Sequence, residues 1–229
     1  MKKTEIVFVL DRSGSMHGLE ADTIGGYNGF LAKQREEEGE ALISTVLFDD
    51  VSEVLHNRVS IKDVQPMTSR QYYVRGCTAL LDALGSSIHH IHALHKAEGE
   101  NAPDKTVFVV ITDGLENASR RYDYQSVKKM VEEEKEKYGW EFLFLGANID
   151  AVDVAGRFGI GANRAVNYES DRVGTQLNYR ALSNTVSAVR RAKNREEADI
   201  AMEACCAPIR EDYETRHESR KRLWERKNQ

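Results

Sequence analysis

Short, unbroken apolar runs recur along the chain: Ile6-Val7-Phe8-Val9-Leu10, Leu42 to Phe48, Thr106 to Thr112, and Phe142-Leu143-Phe144-Leu145. Runs of this length without polar alternation are the pattern of strands covered on both faces, as in a parallel sheet flanked by helices. Ser44 and Thr45 interrupt the second run, and β-branched residues dominate the third. Val51 to Ile61 is more polar and follows the tight Asp49-Asp50 link, which predicts an antiparallel edge strand. Arg164 to Tyr168 predicts a weak sixth strand.

Helical spacing fills the intervals. Ile24, Tyr27, Leu31 and Gln34 share one face. Gly25, Gly26 and Gly29 each cost about 1 kcal/mol against Ala there, so they imply close packing, a bend or a late start. Leu80, Leu81, Leu84, Ile88, Ile91 and Leu94 set a helix within Thr78 to Lys96, with Gly99 as its stop. Tyr124 to Tyr138 and Val173 to Lys193 predict two more. Strands alternating with helices make an open, doubly wound α/β plan with a mostly parallel sheet. No repeat of about 20 to 50 residues interrupts it.

After Lys193 the character changes. Arg195 to Ala207 predicts one more helix, stopped by Pro208. From Pro208 to Gln229, seven basic and five acidic side chains interleave within twenty-two residues, the pattern of a solvated helix or frayed tail. Trp224 is the one tail residue that suggests docking. The division expected is a domain over 1–193 and a charged helical extension over 194–229.

Composition narrows the partners. Of 229 residues, 32 are Lys or Arg and 37 are Asp or Glu, a net charge of -5. A general nucleic-acid or anionic-membrane binder needs a basic field instead. No apolar run approaches the ~18 to 20 residues of a bilayer span, and the short run behind Lys2 and Lys3 is no signal segment. Cys77 stands alone and Cys205-Cys206 are adjacent, so no disulfide framework is indicated. The adjacent pair reads as small apolar helix residues rather than a soft-metal or redox site. These features make the cytoplasm the expected location.

Chemistry gathers at the carboxyl ends of the expected strands, where open α/β sheets hold their ligands. Asp11-Arg12-Ser13-Gly14-Ser15 follows the first strand, Thr112-Asp113-Gly114 ends the third buried run, and Gly76-Cys77-Thr78-Ala79-Leu80-Leu81-Asp82 opens the long helix. Two carboxylates and three hydroxyls are an all-oxygen set, suited to hard cations such as Mg²⁺ or Mn²⁺. Gly14 lets Ser13 and Ser15 face one point. Thr78 serves either as a helix cap or as a ligand.

At these positions the chain resembles the von Willebrand factor A-like family, in its compact intracellular bacterial or phage form. Asp11-x-Ser13-x-Ser15, Thr78 and Asp113 fill the five places of that family's metal-ion-dependent adhesion site, over a resemblance spanning residues 4–190. The resemblance implies a six-stranded sheet with one antiparallel edge. It also implies Mg²⁺ as cofactor, with Mn²⁺ or Ca²⁺ as substitutes. Ser13, Ser15 and Thr78 would bind the ion through their hydroxyls, while Asp11 and Asp113 orient water or ligate directly. The function implied is a non-enzymatic adaptor that captures an Asp or Glu of a partner protein, such as an AAA-type ATPase or a kinase or phosphatase system. Nucleic acid and membrane are not expected partners.

Around the centre, Arg12, Tyr72, Tyr73, Arg75, Glu116 and Asn117 are the expected partner contacts, since aromatics and arginine recur at interface hot spots. Met16, His17 and Gly146-Ala147-Asn148 lie on the same rim, and Asp49-Asp50 reads as a turn pair.

Three rival readings remain open. Asp11 could be the nucleophile of a Mg²⁺-dependent hydrolase or phosphatase, but the second acid such chemistry places two residues on is Ser13 here. His89, His92 and His95 form a loose helical stripe that could attract zinc, at least ~16 Å along the helix from Thr78. The loop hydroxyls could also merely cap helices.

Overall fold

β1 (Lys3–Asp11) runs up the middle of a six-stranded sheet ordered β3-β2-β1-β4-β5-β6. The computed structural model describes the backbone of residues 3–227 and the side chains of residues 3–220. β2 (Glu40–Phe48), β4 (Lys105–Thr112), β5 (Glu141–Gly146) and β6 (Ala165–Asn167) join β1 in a parallel array. β3 (Ser52–Ser60) pairs antiparallel with β2 at the edge. The α/β plan and the antiparallel edge strand read from the sequence are both present.

The apolar runs lack alternation because each strand feeds two cores. Ile6, Phe8 and Leu10 belong to one with Val107, Val109 and Ile111, packed under α1 (Glu20–Glu36), α5 (Arg172–Arg191) and α6 (Arg195–Lys227). Val7, Val9, Phe108 and Val110 face the other, under α2 (Leu80–Glu98), α3 (Tyr124–Tyr138) and α4 (Ala151–Arg157). Burying both faces leaves only the strand ends free for chemistry.

Of the three glycines in α1, only one answers to packing. A Cβ on Gly26 would sit 2.2 Å from the Tyr179 ring of α5, whereas one on Gly25 or Gly29 would meet nothing within 4 Å. The α1–α5 seam is also tied by Gln34 Nε2, which donates to the Ser183 carbonyl and the Ser187 hydroxyl at 3.0 Å. At the C-terminal end of α1, buried Arg190 donates to the carbonyls of Gln34 at 2.5 Å and Gly39 at 3.0 Å.

Two elements depart from the sequence reading. α4 is a seven-residue helix, too short to show periodicity, and Asp150 caps it by accepting from the Asp153 amide. Pro208 does not stop α6, which continues through it. A proline inside a helix costs about 3 kcal/mol. Met202, Cys205, Cys206 and Ile209 are each at most 1% exposed, and such burial contributes about 1.5–3 kcal/mol for a large apolar side chain. The packing outweighs the defect. Burial pushes the thiols of Cys205 and Cys206 up to about 12 and about 11, so both act as apolar filling. Arg210 of α6 also donates to the Ala165 carbonyl of β6 at 3.3 Å. The side chain of Trp224 lies outside the described residues.

Gly26→Ala should destabilise the fold by about 1–3 kcal/mol through overpacking. Gly25→Ala, one residue away, should stabilise it by up to about 1 kcal/mol. Urea unfolding midpoints of the two variants test the opposite signs.

Candidate metal centre

The loop after β1 is built around Asp11, which is fully buried. Its Oδ1 accepts from the Ser13 amide at 2.7 Å and its Oδ2 from the Thr112 hydroxyl at 2.6 Å. Burial raises its pKa, only partly offset by those hydrogen bonds. The tight turn brings Ser13 Oγ within 3.0 Å of Ser15 Oγ, and Thr78 Oγ1 lies 3.1 Å from Ser13 Oγ. Neighbouring loops hold this turn: Tyr72 Oη donates to the Asp11 carbonyl at 2.5 Å, Arg75 N to the Arg12 carbonyl at 2.9 Å, and Gly14 N to the Gly76 carbonyl at 3.2 Å. Gly76 has φ +66°, and a Cβ there would strike Asp50 Oδ2 at 2.5 Å.

The Thr78 hydroxyl does not cap α2, whose N-cap position is Ala79. α2 begins two residues later, and its first amides are capped by other side chains. Glu116 Oε2 accepts from Leu81 N at 2.8 Å and Ser119 Oγ from Asp82 N at 3.0 Å. Asn117 Oδ1 takes the Thr78 amide at 2.9 Å. The Thr78 hydroxyl is thus free of capping and turns to Ser13. Ser13 likewise makes no side-chain cap to the short helix that follows it.

Asp113 supplies the other half. Its Oδ2 accepts from Ser170 Oγ at 2.5 Å and from Asn148 Nδ2 at 3.3 Å. Its Oδ1 is buried without a hydrogen-bond partner among the described residues. Beside it, a Cβ added to Gly114 would lie 3.0 Å from both Ser15 Oγ and Thr78 Oγ1 and 3.8 Å from Ser13 Oγ, so glycine leaves the space into which three hydroxyls look. A buried carboxylate oxygen with no partner is costly unless a positive charge answers it. The donors are oxygens alone, and a hard divalent cation fits them. Ser13, Ser15, Thr78 and Asp113 would hold it, with Asp11 fixing the loop from behind. Among the described residues no three His, Cys, Asp or Glu side chains gather to bind a metal. A centre here depends on its hydroxyls.

The expected rim divides. Arg12 is fully buried and Tyr72 is 1% exposed, so neither offers surface to a partner. Arg12 instead donates through Nε to Asp49 Oδ2 at 2.7 Å and pairs with Glu53 at 2.7 Å. Arg75 reaches the same Asp49 oxygen at 2.7 Å, and both guanidiniums lie over the Tyr73 ring, at 5.6 and 5.3 Å. Tyr73 and Arg75 are exposed. Glu116 and Asn117 spend their oxygens on backbone amides. Asp49 and Asp50 do more than turn the chain: Asp49 sits between two cations, and Asp50 Oδ1 accepts from Cys77 N at 2.7 Å. The histidines disperse, His92 to Glu134 at 2.7 Å and His95 to Glu5 at 3.1 Å, while His89 is exposed. Asn148 and Ser170, which hold Asp113, carry no motif. The sequence put Asn148 on this rim by its place after β5; Ser170 it missed, and only a position after β6 on the same sheet edge could have drawn notice.

Burial works to raise the Asp49 pKa, but hydrogen bonds from Arg75 and Arg12 outweigh it and hold it below the ordinary value. Its stabilising contribution is therefore present above the ordinary carboxylate pKa of about 3.9 and lost as pH falls through the lower folded value. Asp49→Asn, which takes from buried Arg12 one of its two carboxylate partners and leaves Glu53, should cost about 1.5–3 kcal/mol at neutral pH. The gap to wild type should narrow in acid, as urea unfolding at neutral pH and at about pH 3 would show.

No protein-family profile matches the chain, and no curated protein matches it in sequence. Solved structures do match. The PilB minor pilin of Streptococcus sanguinis superposes with a TM-score of 0.57 at 12% identity, covering 81% of this chain and 61% of PilB. A von Willebrand factor type A protein from Catenulispora acidiphila gives 0.54 at 11% identity, over 82% of this chain and 43% of that one. Proximal thread matrix protein 1 of the mussel byssus, in a structure with a zinc-occupied metal-ion-dependent adhesion site, gives 0.54 at 16%, over 81% and 46%. The chain spans about three fifths of the pilin and under half of the other two. At these identities the likeness is one of architecture, and the architecture is von Willebrand factor A-like.

Proposed function

We propose that the chain is a divalent-metal-dependent protein-binding module that captures an acidic side chain of a partner. Two observations carry this reading: Asp113 Oδ1 is buried with no hydrogen-bond partner among the described residues, and the adjacent Gly114 leaves open a space that borders the hydroxyls of Ser13, Ser15 and Thr78. Neutral hydroxyls quench a cation's charge less than a cage of carboxylates does. A divalent ion bound there supplies a positive vertex for a carboxylate from another molecule. The zinc-occupied site of the byssus protein supports divalent binding by this fold. Mg²⁺ suits the small cage, and Mn²⁺ or Ca²⁺ are the alternatives.

The chain's own residues do three things. Ser13, Ser15 and Thr78 present oxygen lone pairs at one point, backed by Asp11, whose two oxygens are engaged inside the protein. Asp113 balances charge from the side. Ser15, with Gly14 and His17, is exposed and leaves the site open to a partner. A binding role fits better than catalysis, because the Asp11 oxygens are committed to Ser13 N and Thr112 Oγ1 and no second acid stands at position 13. Exposed Tyr73 and Arg75 are the rim residues placed to read the partner.

No described helix is long and apolar enough to cross a membrane. A cytoplasmic adaptor beside an AAA-type ATPase or a kinase or phosphatase system is the setting we propose.

Calorimetric titration with Mg²⁺ and Mn²⁺ should give binding heat for wild type and none for Asp113→Ala or for Ser13→Ala with Ser15→Ala. Metal at a hundredfold excess over Kd should stabilise wild type by about 2.7 kcal/mol, and EDTA should remove that gain. Affinity capture followed by mass spectrometry should recover a partner that EDTA and Asp113→Ala both release. Equal recovery by variant and wild type would sink the proposal.

A further inference from the structure

Ser170, which holds Asp113, is itself held from outside the sheet. Its neighbours Glu169 and Asp171 are both gripped by the distal part of α6. Arg220 meets Glu169 Oε2 at 2.7 Å, and Arg216 Nη1 donates to Asp171 Oδ2 at 2.7 Å while its Nε donates to Asp212 at 3.0 Å. The turn between them has little slack. A Cβ on Gly174 would lie 2.1 Å from the Glu169 carbonyl, and Asp171 Oδ1 caps α5 by accepting from Gly174 N at 2.8 Å. Glu169 is buried and the Arg220 side chain is 60% exposed, so the grip reaches from solvent to the core. From there Ser170 Oγ spans 2.5 Å to Asp113 Oδ2, the oxygen opposite the unpartnered Oδ1.

We propose that the distal end of α6 is a latch on the metal centre. Arg216 and Arg220 fix the Glu169-Ser170-Asp171 turn, the Ser170 hydroxyl pins Asp113 Oδ2, and the orientation of the Asp113 carboxylate at the metal centre is thereby set. Ser170 is a positioning residue, acting through Asp113. Both ion pairs reach solvent, where such pairs are weak, so a partner that draws the helix away can release the latch. Release would lower metal affinity, which makes α6 a regulatory element of the site. This inference rests on the metal-binding reading above.

The test is a Mn²⁺ titration of the full chain by calorimetry. Groups that orient metal ligands typically govern affinity by 10–100-fold. Ser170→Ala should weaken binding about tenfold, and Ser170→Thr, which keeps the hydroxyl, should stay near wild type. Arg216→Ala with Arg220→Ala should weaken it about threefold to tenfold, with faster amide exchange at residues 168–171. The triple variant should bind no more weakly than Ser170→Ala, because the arginines act through that hydroxyl. Arg157→Ala, which removes an exposed ion pair on α4, should change nothing. If the double arginine variant fails to fold, Arg220→Ala alone should show a smaller loss in the same direction. Wild-type affinity in the folded arginine variants, or losses that simply multiply in the triple variant, overturns the latch while leaving the metal site standing. Absence of Mn²⁺ binding by wild type overturns both.

Discussion

β1 lies between two parallel partners and beneath helices on both faces, and nearly everything else follows from that confinement. A strand so enclosed can express chemistry only where it stops. It stops at Asp11, level with Phe48 of β2 and one step past the Leu10–Ile111 pairing with β4. The same parallel register brings the ends of β2 and β4 to the same edge. Asp49 and Asp113 follow those ends, and the 72–78 loop is drawn across by bonds to Asp11, Arg12 and Gly14.

Electrostatics at that edge is organised in two compartments. One holds Asp49 between Arg12 and Arg75, a balanced group whose purpose is to lock loops together. The other holds Asp11 and Asp113, which meet no guanidinium or ammonium of the described residues in hydrogen-bonding contact, their oxygens answered by hydroxyls and amides except at one atom. Basic side chains were available nearby and are engaged elsewhere. The polarity of the second compartment therefore favours a cation from solution.

What the sequence disclosed and what it concealed follow from distance along the chain. The strand cores were legible because continuous apolar runs have one economical explanation in an alternating α/β chain. The Asp11-x-Ser13-x-Ser15 turn was legible because its members are adjacent. The supports of Asp113 were legible only in part: Asn148 fell on the rim by its place after β5, but its bond to Asp113, 35 residues away, and the whole role of Ser170, 57 residues away, rest on ordinary polar residues in loops. Arg12 and Tyr72 read as surface because loops usually are, yet tertiary packing turned both inward to carry charge and to hold the Asp11 carbonyl. Pro208 read as a terminator because local propensity speaks before packing does; four buried side chains on α6 reversed it.

The reach of Arg210 to the Ala165 carbonyl has a consequence beyond holding a helix in place. β6 is only three residues long and ends the sheet, so its outer side offers backbone groups with no strand beyond them. Such borders recruit strands from other chains and seed aggregates unless something blunts them. α6 supplies the shield, laying apolar side chains and a cationic donor along that border. A protein shortened before this helix would therefore lose colloidal solubility as well as a layer of packing, through the exposure of a few hydrogen-bonding groups.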